Sequence, residues 1–189
     1  MEIPTDAEIR ALHREYAPSR EAFEIVHEHC RLVCSLAEQF FARLDLDTDL
    51  VRAGALLHDI GVYRLESSPY VRHGVLGHSL LASLGFPVEI CRFASCHTGV
   101  GITRDDVLRQ SLPIPVDDYV PRTPEEELVL YADKFHSKRT PPVFLSGDTY
   151  AREVARFGAE KVVRFGALRE RYGDPSLGAL SETTGYAVV

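Results

Sequence analysis

The adjacent pair His58-Asp59, in the stretch Leu56-Leu57-His58-Asp59-Ile60-Gly61, limits what this chain can build because it has company. His29 lies upstream, and His73, His97 and Asp133 follow in order. Four imidazoles and two carboxylates are ligand types that suit divalent transition metals such as iron, manganese or zinc. A His-Asp dipeptide alone carries little, since chance produces many. The ordered set carries the information, and a fold that uses it must turn all six towards one pocket.

The pattern between these residues is almost wholly helical. Thr5-Asp6-Ala7-Glu8 has capping-box spacing and opens a short helix that ends before Pro18. Ser19 caps a longer helix, predicted to run to about Leu44. Asp47-Thr48-Asp49 starts another, which runs into His58-Asp59 and stops near Gly61. A helix from His73 to Leu84 is closed by Gly85, and Pro87 opens the next, which ends around His97-Thr98-Gly99. Thr103-Arg104-Asp105-Asp106 begins a short helix, and the prolines at 113, 115 and 121 make 111–122 a loop. Thr123-Pro124-Glu125-Glu126 starts the helix that carries Asp133. A loop around Thr140-Pro141-Pro142 leads to a last long helix, from about Asp148 to Tyr172.

Helical geometry, at about 100° per residue, shows which histidines face inward. Glu24, Glu28, Arg31, Ser35 and Gln39 share one side of the helix after Ser19. His29 falls among Ile25, Val26, Leu32, Val33 and Leu36 on the other, with His27 at the polar edge. His73 aligns with Leu76, Leu80 and Leu84, and His78 points off that stripe. His97 aligns with Ile90, Phe93 and Ala94. For Asp133 the apolar stripe is too broad to assign a face. Any one buried histidine is more often a hydrogen-bonded core residue than a ligand. Taken jointly, unpaired burial of so many polar groups costs several kcal/mol, and metal coordination removes that cost with one explanation.

Composition narrows the function classes. With 189 residues, 45% of them hydrophobic, the chain is expected to form one domain with a substantial core. A formal net charge of −7 argues against an extended nucleic-acid surface. No apolar run approaches the roughly 18–20 residues that span a bilayer, and Met1-Glu2-Ile3-Pro4 does not open a signal peptide, so no membrane role and a cytoplasmic setting are expected. Cys30, Cys34, Cys91 and Cys96 are too few for a disulfide scaffold. Cys30 and Cys34, one helical turn apart beside His29, allow a thiolate zinc site, but small buried apolar residues is the simpler reading.

These residues resemble the HD superfamily of metal-dependent phosphohydrolases. The resemblance runs through Glu28-His29-Cys30-Arg31, Leu57-His58-Asp59-Ile60-Gly61, His73-Gly74-Val75-Leu76-Gly77, Cys96-His97-Thr98-Gly99 and Tyr131-Ala132-Asp133-Lys134. It covers residues from about 20 to 138. It implies an all-α, single-domain helical bundle over 1–189, with an extra C-terminal helix in an extension from about 145 to 189. The two histidines beyond the minimal set resemble the bimetallic branch. That branch includes HD-type diadenosine tetraphosphate hydrolases, HD-GYP cyclic dinucleotide phosphodiesterases and mixed-valent di-iron oxygenases. By resemblance, His29, His58, Asp59 and Asp133 hold one ion, Asp59 bridges, and His73 and His97 complete the second site. Iron or manganese is favoured; zinc, nickel, cobalt and magnesium are the other candidates. Val62 stands where a lysine often follows the Asp-Ile-Gly, and the Gly-Tyr-Pro signature of cyclic di-GMP hydrolysis is absent.

The implied activity is cleavage of a phosphate ester, nucleotide or other small phosphoester, by a metal-activated hydroxide, with His58 and Asp59 as catalytic residues. Arg64, Arg72, Arg104, Lys134 and His136 are candidate substrate contacts, since each lies close in sequence to a ligand. His136, three after Asp133, is also a candidate leaving-group acid or a support behind the ligands. Two other readings use the same residues: a mixed-valent di-iron oxygenase of the HD-like type, and a catalytically inactive nucleotide- or metal-binding module.

Overall fold

The computed structural model describes residues 3–189, and the helices follow local signals in the sequence. Helix α1 (Asp6–Tyr16) opens on a complete Thr5–Glu8 capping box. Helix α2 (Arg20–Glu38) is capped by the Ser19 hydroxyl, which accepts from Ala22 N at 3.1 Å. Helix α3 (Thr48–Leu57) is capped by Asp47, which accepts from Leu50 N at 3.0 Å. Helices α4 (His73–Ser83), α5 (Val88–Cys96) and α6 (Arg104–Arg109) follow. Thr123 caps α7 (Pro124–Asp133), with Pro124 in the first turn, where its missing N–H costs nothing.

Helices α2, α3, α5 and α7 bury one core, in which Leu36, Val51, Leu57, Ile90 and Val129 are fully enclosed. Among the described residues the fold is all-α apart from three two-residue strands. Strand β1 (His136–Ser137) pairs antiparallel with β2 (Val143–Phe144), and β2 pairs parallel with β3 (Ala187–Val188). No helix among the described residues is long and apolar enough to cross a membrane.

Two expected helices end elsewhere. The helix after Ser19 stops at Glu38 rather than about Leu44, and a 3-10 turn covers Phe41–Arg43. The chain turns there to seat Phe40, 1% exposed, edge-on against Tyr131 and Tyr172. The expected single helix over 148–172 is two, α8 (Gly147–Val154) and α9 (Ala159–Tyr172). Gly158 separates them at φ 122°, a backbone conformation that ends a helix and that L side chains rarely adopt. A further helix, α10 (Gly178–Thr184), precedes β3, so the extension holds three helices where one was expected. Phe165 and Tyr172 of α9 pack on Tyr131 and Phe135 of the main core.

Three glycines let backbones meet around the His-Asp pair. A Cβ on Gly61 would run into His73 O and the Gly77 backbone. A Cβ on Gly77 would press on Ala94 Cβ at 2.9 Å, and one on Gly74 on Ala94 O at 2.9 Å. The 3-10 turn Ile60–Arg64 therefore lies directly on α4, and α4 on α5 with no more than the Ala94 methyl between them at Gly77. That contact sets the distance between His58-Asp59, His73 and His97.

Candidate metal centre

Six side chains from five places in the sequence converge at one point. His29 comes from the middle of α2, and His58 from the end of α3. Asp59 sits at φ −104°, ψ 9°, between α3 and the 3-10 turn. This bridge conformation breaks the helical 100° step, so neighbouring side chains both turn inward. His73 opens α4, His97 caps α5, and Asp133 closes α7. The four histidines and Asp59 are each at most 3% exposed. Three overlapping groups, His29-His58-Asp59, His58-His97-Asp133 and Asp59-His73-His97, each place ligand atoms within 4.8 Å of one another.

The hydrogen bonds behind the rings decide which atoms face inward. His58 donates Nδ1–H to Ala55 O at 2.7 Å, His73 donates to Tyr70 O at 2.6 Å, and His97 donates to Phe93 O at 3.1 Å. A neutral ring held this way has spent its one proton, and its Nε2 presents a lone pair to the centre. His29 turns Nδ1 towards Nδ1 of His136 at 2.8 Å and points Nε2 inward.

The result is a set of acceptors facing acceptors. Nε2 of His73 and Nε2 of His97 are 2.9 Å apart, and Nε2 of His29 and of His58 are 3.2 Å apart. Asp59 Oδ1 is buried without a hydrogen-bond donor, 3.5 Å from Nε2 of both His73 and His97. Asp59 Oδ2 lies 3.4 Å from His29 Nε2, and Asp133 Oδ1 lies 3.0 Å from it. Lone pairs and carboxylates at these separations repel unless a cation lies among them, so the donor set fits divalent metal binding.

Charge states agree with this at His29, His73 and His97. Burial lowers His29 to about 3, with Lys138 adding to the effect, and burial lowers His73 to about 4 and also lowers His97. These rings are neutral and ligand-competent at neutral pH. Burial would raise Asp59 and Asp133, but Lys138 beside Asp59 and Lys134 beside Asp133 hold both well below the usual carboxylate range. His58 behaves oppositely: burial lowers it, and Cys30 and Asp133 outweigh burial and raise it well above its ordinary value.

The five candidate substrate contacts differ in burial and partners. Arg64 and Arg104 are exposed. Arg72 is half-buried directly before His73, and its Nε has no hydrogen-bond partner. Lys134 is buried, donating to His97 O at 2.9 Å and to Asp133 Oδ2 at 2.6 Å, which makes it a brace between two ligands. His136 lies behind His29, stacked on it at 5.1 Å, rather than facing open space. The cysteines are free and buried, outside all three ligand groups. Burial raises Cys34 to about 11, which keeps it a thiol.

Sequence reasoning missed Lys138, whose ammonium donates to Asp59 Oδ2 and lies 5.4 Å over the Tyr70 ring. The signal was present. Strand β1 is His136–Ser137 and Lys138 is the next residue, so His136 and Lys138 stand two apart where the chain has left its helix, a period of two hidden by reading on in helical steps. Also missed was His13, fully buried in α1. It donates Nε2–H to Leu56 O and accepts from the Tyr63 hydroxyl, both at 2.8 Å, so protein partners satisfy both nitrogens. It shows what a structural histidine looks like here.

A family model described as HD domain matches residues 26–138, more than half of the chain. An uncharacterized protein of Methanocaldococcus jannaschii is 38% identical over 123 residues, 61% of this chain and 70% of that protein. Two proteins named tRNA (cytidine(56)-2'-O)-methyltransferase also match. The one from Picrophilus torridus is 36% identical over 63% of this chain, and the one from Thermoplasma volcanium is 30% identical over 76%. The matched regions span only 33% and 41% of those two proteins. The fold is similar to the HD domain of the L. monocytogenes phosphodiesterase PgpH, solved in complex with cyclic-di-AMP. The TM-score is 0.51 and the identity 16%, over 89% of this chain and 99% of that one.

Proposed function

The chain belongs to the HD domain family, and from that premise we propose that it is a metal-dependent phosphohydrolase acting on a small phosphorylated substrate. The observation that carries the reading is the division of Asp59. Its Oδ1 faces His73 and His97, and its Oδ2 faces His29. This supports two cation subsites that share Asp59, one completed by His29, His58 and Asp133, the other by His73 and His97. The mixture of imidazole and carboxylate favours iron or manganese. When bound, such ions supply Lewis acidity that lowers the pKa of water and neutralises charge on phosphoryl oxygens.

The chain's own residues supply the rest. Backbone carbonyls behind His58, His73 and His97 fix the rings in one tautomer, and His136 does the same work behind His29. Lys134 ties Asp133 to the end of α5 and holds the two ligands in register. We assign Lys138, beside Asp59, to contact the substrate phosphate, with Arg72, directly before His73 and unpartnered at Nε, as the second cation to test. The cyclic dinucleotide in the PgpH complex makes nucleotide phosphodiesters the first substrates to test. The methyl transfer named for two relatives is not part of this reading, since the matched region spans a minority of each. Four free, buried cysteines fit a reducing compartment.

The test is release of product from a panel of phosphomonoesters and phosphodiesters by protein loaded with manganese, or with iron under anaerobic conditions. Metal-dependent turnover is expected, and Asp59→Asn should lose it by a factor of about 10³ or more. Full turnover in Asp59→Asn, or no cleavage of any ester by fully loaded protein, contradicts the reading.

A further inference from the structure

We propose that the cavity beside the His73–His97 end of the centre receives an aromatic, ring-sized group esterified to the substrate phosphate. This rests on the hydrolase reading above and names the substrate class for the same site. The cavity has a volume of about 270 Å³, near the lower end of small-ligand pockets at roughly 300 Å³.

Its walls join the centre at two places. Tyr70 lines it, and the Tyr70 ring lies 4.5 Å from that of His73. Thr98, the residue after His97, lines it as well. A phosphate held at that end of the centre therefore has its esterified arm within reach. The remaining walls are mostly apolar, with Val100 and Ile102 from the loop after His97, and Val154 and Phe157 from the end of α8 and the turn beyond it; Asp106, Gln110 and Lys161 are the polar exceptions.

The charged groups at the edge are already spent. Lys161 donates to Gly101 O at 2.9 Å and to Asp106 Oδ2. Asp106 Oδ2 also takes the amide and hydroxyl of Thr103, and its Oδ1 takes Arg109. Besides the Tyr70 hydroxyl, Thr98 and Gln110 are the polar side chains left to pair with the hydroxyls of a sugar or glycerol. By contrast, two aromatic rings that line the cavity, Tyr70 and Phe157, stand 53% and 50% exposed. Large rings left half in water around an apolar cavity are the arrangement that stacks on an incoming ring.

Two measurements on manganese-loaded protein separate this inference from the reading beneath it. The first is kcat/KM for 1-naphthyl phosphate against methyl phosphate. The second is binding of 1-naphthylphosphonate, which lacks the ester bond, followed by its fluorescence. The naphthyl ester is expected to be favoured about tenfold or more. Phe157→Ala, at an exposed position that leaves the core intact, should reduce both that preference and the phosphonate affinity about tenfold. Phosphonate binding that depends on Phe157 with no ester cleaved supports the cavity and overturns the hydrolase reading. Cleavage of both esters at similar kcat/KM, or phosphonate binding indifferent to Phe157→Ala, overturns the cavity and leaves the hydrolase reading standing.

Discussion

Lys138 rests its ammonium on Asp59 Oδ2, the carboxylate oxygen that also faces His29. A fixed positive charge thus lies where the centre most needs one. Asp59 raises Lys138 above its ordinary range against the burial that lowers it, and Lys138 holds Asp59 down in return.

Replacing Lys138 by Met therefore strands a buried carboxylate in the metal-free protein. Breaking such a pair costs about 3–5 kcal/mol. The account predicts a lower Tm in chelator for Lys138→Met, recovery on adding manganese, and metal affinity raised about tenfold by calorimetry. Weaker metal binding in the variant shows that the ammonium does not compete for Asp59.

Gly61 is the second test, because its absent side chain is what lets the 3-10 turn lie on α4. Gly61→Ala forces its Cβ into His73 O and Gly77 N, with an expected loss of about 2–4 kcal/mol in urea unfolding. A Cβ on Gly166, in α9, would meet nothing within 4 Å. Gly166→Ala should be neutral or stabilising by up to about 1 kcal/mol. Equal effects at the two glycines contradict the packing described.

His13 gives a pH prediction outside the metal centre. Burial lowers it from 6.5 to about 4, and the hydrogen bond to Leu56 O does not make up the difference. A histidine depressed in the folded state binds its proton more readily when unfolded. Its contribution is full above pH 6.5 and is lost as the pH falls towards 4. A shift of this size corresponds to about 3 kcal/mol. Stability measured from pH 8 to pH 4 should fall less steeply for His13→Gln than for the parent chain. Parallel curves contradict the assignment.

Much of this was legible beforehand, for physical reasons. Caps at Ser19, Asp47 and Thr123 act locally, so helix starts could be read from a few residues. The inward faces of His29, His73 and His97 follow from helical period alone, and all three are buried. The role of His136 was not legible in that way, because it depends on strand pairing between β1 and β2, and β2 in turn pairs with residues 187–188; Lys138 follows directly after that strand. Phe40 ended a helix early through contacts with Tyr131 and Tyr172, which no local pattern reveals.

The sharing of Asp59 between two subsites is measured most directly by metal content per chain after anaerobic reconstitution with iron or manganese, comparing the parent protein with His73→Ala. The account predicts about two equivalents in the parent and about one in His73→Ala, with the ion at His29, His58, Asp59 and Asp133 retained. One equivalent in the parent, or content unchanged by His73→Ala, contradicts it and leaves His73 and His97 without a metal to hold.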